Sequence, residues 1–234
     1  MPKINSTKLN KEITDKYSVV NNAFRAKVKD NPKDLVVAEI GDTKDADFKP
    51  QMKICRWGDT ENDNEVNVSL RLVHDEKTPT ITAKEGKIKW KGKDVEAHFY
   101  DFTNTDHPEG ASEFEVILKK KPKTNVVKFT LVDKGVKYFY QPELTQEEKD
   151  QGCVRPENVV GSYAVYASEQ KTNWVGGKEY KCGKVGHIYR PKIIDSAGTE
   201  VWGELNIDTK KEILEVTIPQ DFLNTAVYPI SLKT

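Results

Sequence analysis

Cysteine is almost missing. The chain has three in 234 residues, Cys55, Cys153 and Cys182, an odd number with no Cys-x-x-Cys spacing. A disulfide framework is thereby excluded, and Cys153 with Cys182 is the one pairing left open. Long apolar runs are also missing, so no segment can span a bilayer as a helix. The opening Met1-Pro-Lys-Ile-Asn-Ser-Thr-Lys has no hydrophobic stretch of the kind a secretory leader needs. The expectation is a chain made and folded in a reducing cytoplasm. Excess charge of either sign is absent: Lys+Arg and Asp+Glu each number 37. Without a basic footprint, nucleic acid is not expected as a partner. His74, His98, His107 and His187 are the only histidines, and none is spaced as a metal pair. No Gly-x-Ser-x-Gly, phosphate-binding loop or dinucleotide fingerprint occurs. No metal, no cofactor and no enzymatic activity are expected.

What is present points to β structure. Nine Tyr, eight Phe and four Trp set the chain apart from disordered sequences. An apolar fraction of 36% with 32% charged residues suits a thin core between sheets with charged outer faces. Glu65–Val73 alternates cleanly, with Val66, Val68, Leu70 and Leu72 on one face and Asn67, Ser69 and Arg71 on the other. Glu113–Lys119 and Val126–Val132 alternate in the same way, joined by a basic loop. Lys87–Lys91 and Val95–Phe102 flank Lys91-Gly-Lys-Asp, which reads as a hairpin turn. Thr145-Gln-Glu-Glu is a capping box and starts a short helix. Pro219 opens a single helical turn. About a dozen short strands between turns predict an all-β, antiparallel β-sandwich, jelly-roll-like or Ig-like, with one or two very short helices. Residues 1–33 read as a polar N-terminal arm reaching to a neighbour, and 34–234 as the sandwich. A subdomain split near 106–112 is the alternative to one continuous sandwich. Leu35–Ile40 and Val227–Leu232 are expected as edge strands that pair subunits, the second because Pro229 cannot donate to a ladder.

Several side-chain groups invite a chemical reading. Asp59, Glu61 and Asp63 alternate as calcium ligands would, but no glycine follows at the sixth place, so a solvated acidic tip is expected. Asp42, Asp45 and Asp47 receive the same reading. Glu113 and Glu115 could form a glycosidase pair, but a spacing of two sets both on the wet face of one strand. Tyr138, Phe139 and Tyr140 are consecutive, so a strand cannot bury all three. Trp90 and Trp202 are expected in the core. Trp174, within Lys171-Thr-Asn-Trp-Val-Gly-Gly, is expected to be exposed. Trp174 with Tyr138 or Tyr140 is the candidate contact set, for a partner protein or for a glycan stacked on the rings.

Eight stretches carry a resemblance: Phe48–Trp57, Asn64–Ser69, Glu113–Pro122, Tyr138–Glu148, Arg155–Tyr166, His187–Asp195, Val201–Ile207 and Ile218–Pro229. Together they resemble a β-rich module of uncharacterised proteins of tailed phages and uncultured bacteria. The closing Ala226-Val-Tyr-Pro is similar to the end of β modules in large bacterial surface proteins. The resemblance implies a structural, non-enzymatic protein of a virion, such as a capsid decoration or tail-fibre module. Its implied partners are copies of itself and other virion or surface proteins, with a carbohydrate-binding surface module as the alternative function. It transfers no functional residues. Two departures stand out: Gly58–Asp63 looks inserted, and Ser231-Leu-Lys-Thr replaces the Asp-Pro that usually follows Tyr-Pro.

Overall fold

A computed structural model describes residues 3–5, 9–26, 36–56, 66–102, 111–175 and 178–233. Trp57, the acidic stretch 59–65, the loop 106–110 with His107, and Gly176–Gly177 lie outside the described residues.

The chain is all-β. In order it runs α1 (Lys11–Lys16), β1 (Tyr17–Val20), β2 (Ala23–Ala26), β3 (Val36–Gly41), β4 (Gln51–Arg56), β5 (Val66–Leu72), β6 (Thr80–Lys84), β7 (Lys87–Lys91), β8 (Val95–Phe102) and β9 (Ala111–Leu118). It continues with β10 (Val126–Lys134), β11 (Val136–Tyr140), α2 (Gln146–Asp150), β12 (Tyr163–Val175), β13 (Lys178–Ile188), β14 (Lys192–Ile194), β15 (Glu200–Trp202), β16 (Glu204–Asp208), β17 (Ile213–Thr217), α3 (Gln220–Thr225) and β18 (Ile230–Lys233).

Two large antiparallel sheets form the sandwich. One has the order β1-β2-β3-β4-β5-β10-β17-β16, the other β15-β14-β18-β9-β8-β7-β6. Inward residues of both make one core, with Phe24, Ile40, Phe129 and Leu214 from the first sheet and Ile88, Trp90, Phe99 and Ile230 from the second. In β7, β10 and β17 buried residues alternate with more exposed ones, so each strand feeds that core from one side. A third sheet, β11-β12-β13, stands beside the sandwich. The Arg56 guanidinium ties it to β4 by donating to the Val185 carbonyl at 2.7 Å.

Local signals act as read. Thr145 caps α2 with the full capping box. The β7–β8 hairpin closes through Gly92 N–H to the Val95 carbonyl at 2.8 Å. The Glu76 carboxylate braces that turn, accepting from the N–H groups of Lys93, Asp94 and Val95 at 2.6, 2.6 and 2.9 Å.

Three expectations are corrected. The arm is one, because residues 9–26 fold into α1, β1 and β2 and bury Ile13, Tyr17, Ala23 and Phe24. Asn10 caps α1, and α1 lies against β1 and β6, at one open side of the sandwich. Polar composition hid this, since only Ile13, Tyr17, Ala23 and Phe24 of residues 9–26 are buried. Neither proposed edge is an edge: β3 lies between β2 and β4, and β18 between β14 and β9. Pro229 precedes β18 and therefore interrupts no ladder.

Candidate functional site

β10 and β11 are one chain bent at Gly135, whose φ of +69° is open to glycine at little cost. The bend carries the strand out of the sandwich and into the third sheet. β11 then alternates. Val136, Tyr138 and Tyr140 share one face, while Lys137 and Phe139 share the other with Ala164 and Tyr166 of β12. The Tyr138 hydroxyl donates to Asp133 Oδ2 at 2.9 Å, closing a loop across the bend. Burial, with the Asp133 carboxylate adding to it, pushes the Tyr138 hydroxyl well above the usual phenol range. Between β10, β11 and the β16–β17 turn lies a cleft of about 550 Å³. Leu131, Val132 and Ile207 give it apolar wall, and Asp133, Lys137 and Glu212 give it charge.

The opposite face carries exposed aromatic surface. Phe139 and Tyr166 meet edge to face, with centroids 5.5 Å apart at 87°, and they are 50% and 38% exposed. On the Tyr138 face, Tyr140 is 52% exposed beside Tyr163. These rings give the third sheet an exposed apolar patch.

Tyr138 and Tyr140 are thus together on one face, as a shared platform requires. Trp174 is not with them. Tyr138 pairs with Val165, and Trp174 lies nine positions further along β12, paired with Glu179. At about 3.3 Å per residue that is roughly 30 Å along the strand, too far for one sugar to touch both. The Trp174 side chain lies outside the described residues.

The remaining candidates are committed to other work. Glu113 and Glu115 are buried, not solvated. Glu115 accepts from the Ser231 hydroxyl at 2.5 Å, and its carboxylate lies 3.6 Å from Lys87 Nζ and 3.7 Å from His98 Nδ1. Burial works against its charge. The His98 ring, the Ser231 hydroxyl and the Lys87 and Lys233 ammonium groups outweigh that and hold it at about 2. His98 Nε2 meets Glu96 at 2.8 Å, and Glu96 in turn pairs with Lys119 at 2.6 Å. Asp42 and Asp45 hold the Arg71 guanidinium at 2.7 and 2.9 Å. Trp90 is fully buried, as expected. Trp202 is not core: it is half-buried, donates to Glu157 at 2.7 Å, and lies under the Arg190 guanidinium at 4.4 Å. Cys153 is free and exposed, and Cys55 is free and buried. The Cys182 side chain lies outside the described residues.

One pairing escaped the sequence. Ser162, fully buried, lies 2.5 Å from His187 Nε2 and also contacts the Val159 carbonyl. Burial, with help from Lys184, lowers His187 to about 4, so the ring is neutral near pH 7. The contact joins the 156–162 turn to β13. Its residues are 25 apart in sequence with no motif between them, and only the fold unites them.

No protein-family model matches the chain, and neither does any curated protein or solved structure. No helix among the described residues is long and apolar enough to cross a membrane.

Proposed function

We propose that this chain is a structural, non-enzymatic β module of a phage-type particle, working through contacts with copies of itself and with other virion or surface proteins. The observation that carries the reading is the exposed aromatic face of the third sheet, with Phe139 and Tyr166 paired and open to solvent. Such patches mark interaction surfaces, and aromatic side chains are enriched where binding energy concentrates. Two further points support it. Ser162 and Glu115, the best-placed groups for nucleophilic or acid–base chemistry, are buried and engaged. The eight stretches that resemble a phage-associated module are spread from Phe48 to Pro229.

Light scattering over a concentration series tests the contact. The wild type is expected to exceed its monomer mass of 26.6 kDa. A Phe139→Ser, Tyr166→Ser double variant is expected to stay monomeric with unchanged circular dichroism. A double variant that assembles as well as the wild type would remove the aromatic face from the account. Capsid, portal or tail genes beside this one are the expected neighbourhood for the particle assignment, and a neighbourhood of metabolic enzymes counts against it.

A further inference from the structure

We infer that the cleft between β10 and β11 is a site of β-strand addition, taking an extended peptide with a basic side chain from a partner protein. The inference rests on the surface-contact reading above and names the chemistry of one such contact. It begins with the ladder. Among the described strands β11 has a single neighbour, β12. At one end the Gly135 carbonyl accepts from Ser168 N–H at 2.7 Å, and at the other Gln141 N–H donates to the Ser162 carbonyl at 2.9 Å. In an antiparallel pair the residues that bond across alternate with those that do not. Gly135, Lys137, Phe139 and Gln141 therefore face β12. The N–H and C=O groups of Val136, Tyr138 and Tyr140 point to the other edge, where no described strand lies.

The same reasoning applies across the bend. Leu131 N–H donates to the Glu212 carbonyl at 2.8 Å, on the side where β17 begins only at Ile213. Two residues on, Asp133 directs its backbone groups to that side, past the end of β17. Two strand edges thus converge on the cleft of about 550 Å³, a volume within the usual range for bound ligands. β11 is five residues long, about 17 Å, and its three outward residues offer up to about six backbone hydrogen bonds to an antiparallel peptide.

The side chains select among peptides. Val132 and Ile207 suit an aliphatic residue, and Val132 is 60% exposed with nothing described covering it. Asp133 and Glu212 bring two negative charges against one positive charge on Lys137. The complement is a lysine or arginine, and an acidic peptide is disfavoured.

Fluorescence anisotropy on the full chain tests this with three labelled hexapeptides. All share an alternating Val–Thr backbone and carry Lys, Gln or Glu at one central position. The Lys peptide is expected to bind at least about tenfold more tightly than the Glu peptide, a preference that falls toward unity in Asp133→Asn, Glu212→Gln. Methylating every second amide of the Lys peptide is expected to abolish binding in one register and spare it in the other, because only alternate N–H groups face β11. Tyr140→Pro, which removes an outward donor and leaves the β12 ladder intact, is expected to weaken binding as well. Equal sensitivity to both methylation registers, or a Lys preference unchanged in the acidic-residue variant, overturns the inference. So does failure of the Lys peptide to bind at millimolar concentration. Maltotriose or chitotriose binding in its place, lost in Tyr138→Phe, would give the cleft to a glycan. If the peptides fail while the Phe139, Tyr166 variant still abolishes assembly, the cleft assignment is wrong and the aromatic contact stands.

Discussion

Truncating Phe24 to alanine separates an integral N-terminal segment from a dispensable arm. Phe24 is fully buried, with Tyr17 and Phe48 packed edge-on at centroid distances of 6.4 and 6.2 Å. A buried phenylalanine removes on the order of 200 Å² from water, worth about 5 kcal/mol at the usual coefficient, and truncation data cluster at about 3–5 kcal/mol. The two ring contacts add to the area term, and partial collapse of the cavity subtracts from it. We therefore expect a loss of about 4 kcal/mol, a large share of the stability of an ordinary domain. Urea unfolding followed by tryptophan fluorescence is the assay, since Trp90 is fully buried and reports directly on the shared core. In a chain of this size the loss corresponds to a fall of roughly 10 °C in the thermal midpoint. Removing residues 1–26 altogether is expected to abolish cooperative unfolding. A Phe24→Ala midpoint within about 1 kcal/mol of wild type would refute the reasoning, because surface and arm substitutions fall in that range.

Stability should fall in two separate acid windows. His187 is lowered to about 4 from an unfolded value of 6.5, so the unfolded chain binds the extra proton in between, and stability is lost as pH drops from 6.5 toward 4. The ring is only half-buried, so solvent screening cuts the ideal value to on the order of 1–2 kcal/mol, and His187→Gln should flatten that window in urea titrations. Glu115, held at about 2 against 4.5 unfolded, contributes stability that is present above 4.5 and lost toward pH 2, and Glu115→Gln should remove this lower step while leaving the upper one. Gly92→Ala should destabilise by about 1–3 kcal/mol, because the added Cβ would lie 2.4 Å from the Glu76 side chain and 2.7 Å from the fixed Val95 carbonyl. Gly186→Ala, with nothing within 4 Å, is the matched control and should shift the midpoint far less.

Most of the sandwich strands and the short helices α2 and α3 were legible in the sequence because their signals are local, whereas α1, β1 and β2 were not. Alternation in Val66–Leu72 and Val126–Val132, the Thr145 box and the Gly92 turn each lie within a few residues of what they determine. Lateral order was not legible. The period of two fixes which face of β3 or β18 is buried but carries no information on how many strands flank it. Glu115 was misread for a related reason: its contacts Lys87, His98 and Ser231 come from three other strands. At the candidate site, the run Tyr138-Phe-Tyr announced exposed rings. The cleft did not announce itself, because it depends on where β17 stops relative to a bend at Gly135.

That bend has a mechanical consequence. β11 continues covalently into β10, which is bonded on both sides, to β5 and to β17. A partner tugging lengthwise on β11 would load those two ladders in shear, with many bonds sharing the force at once. Tension arriving at the third sheet would therefore be borne by the middle of the sandwich.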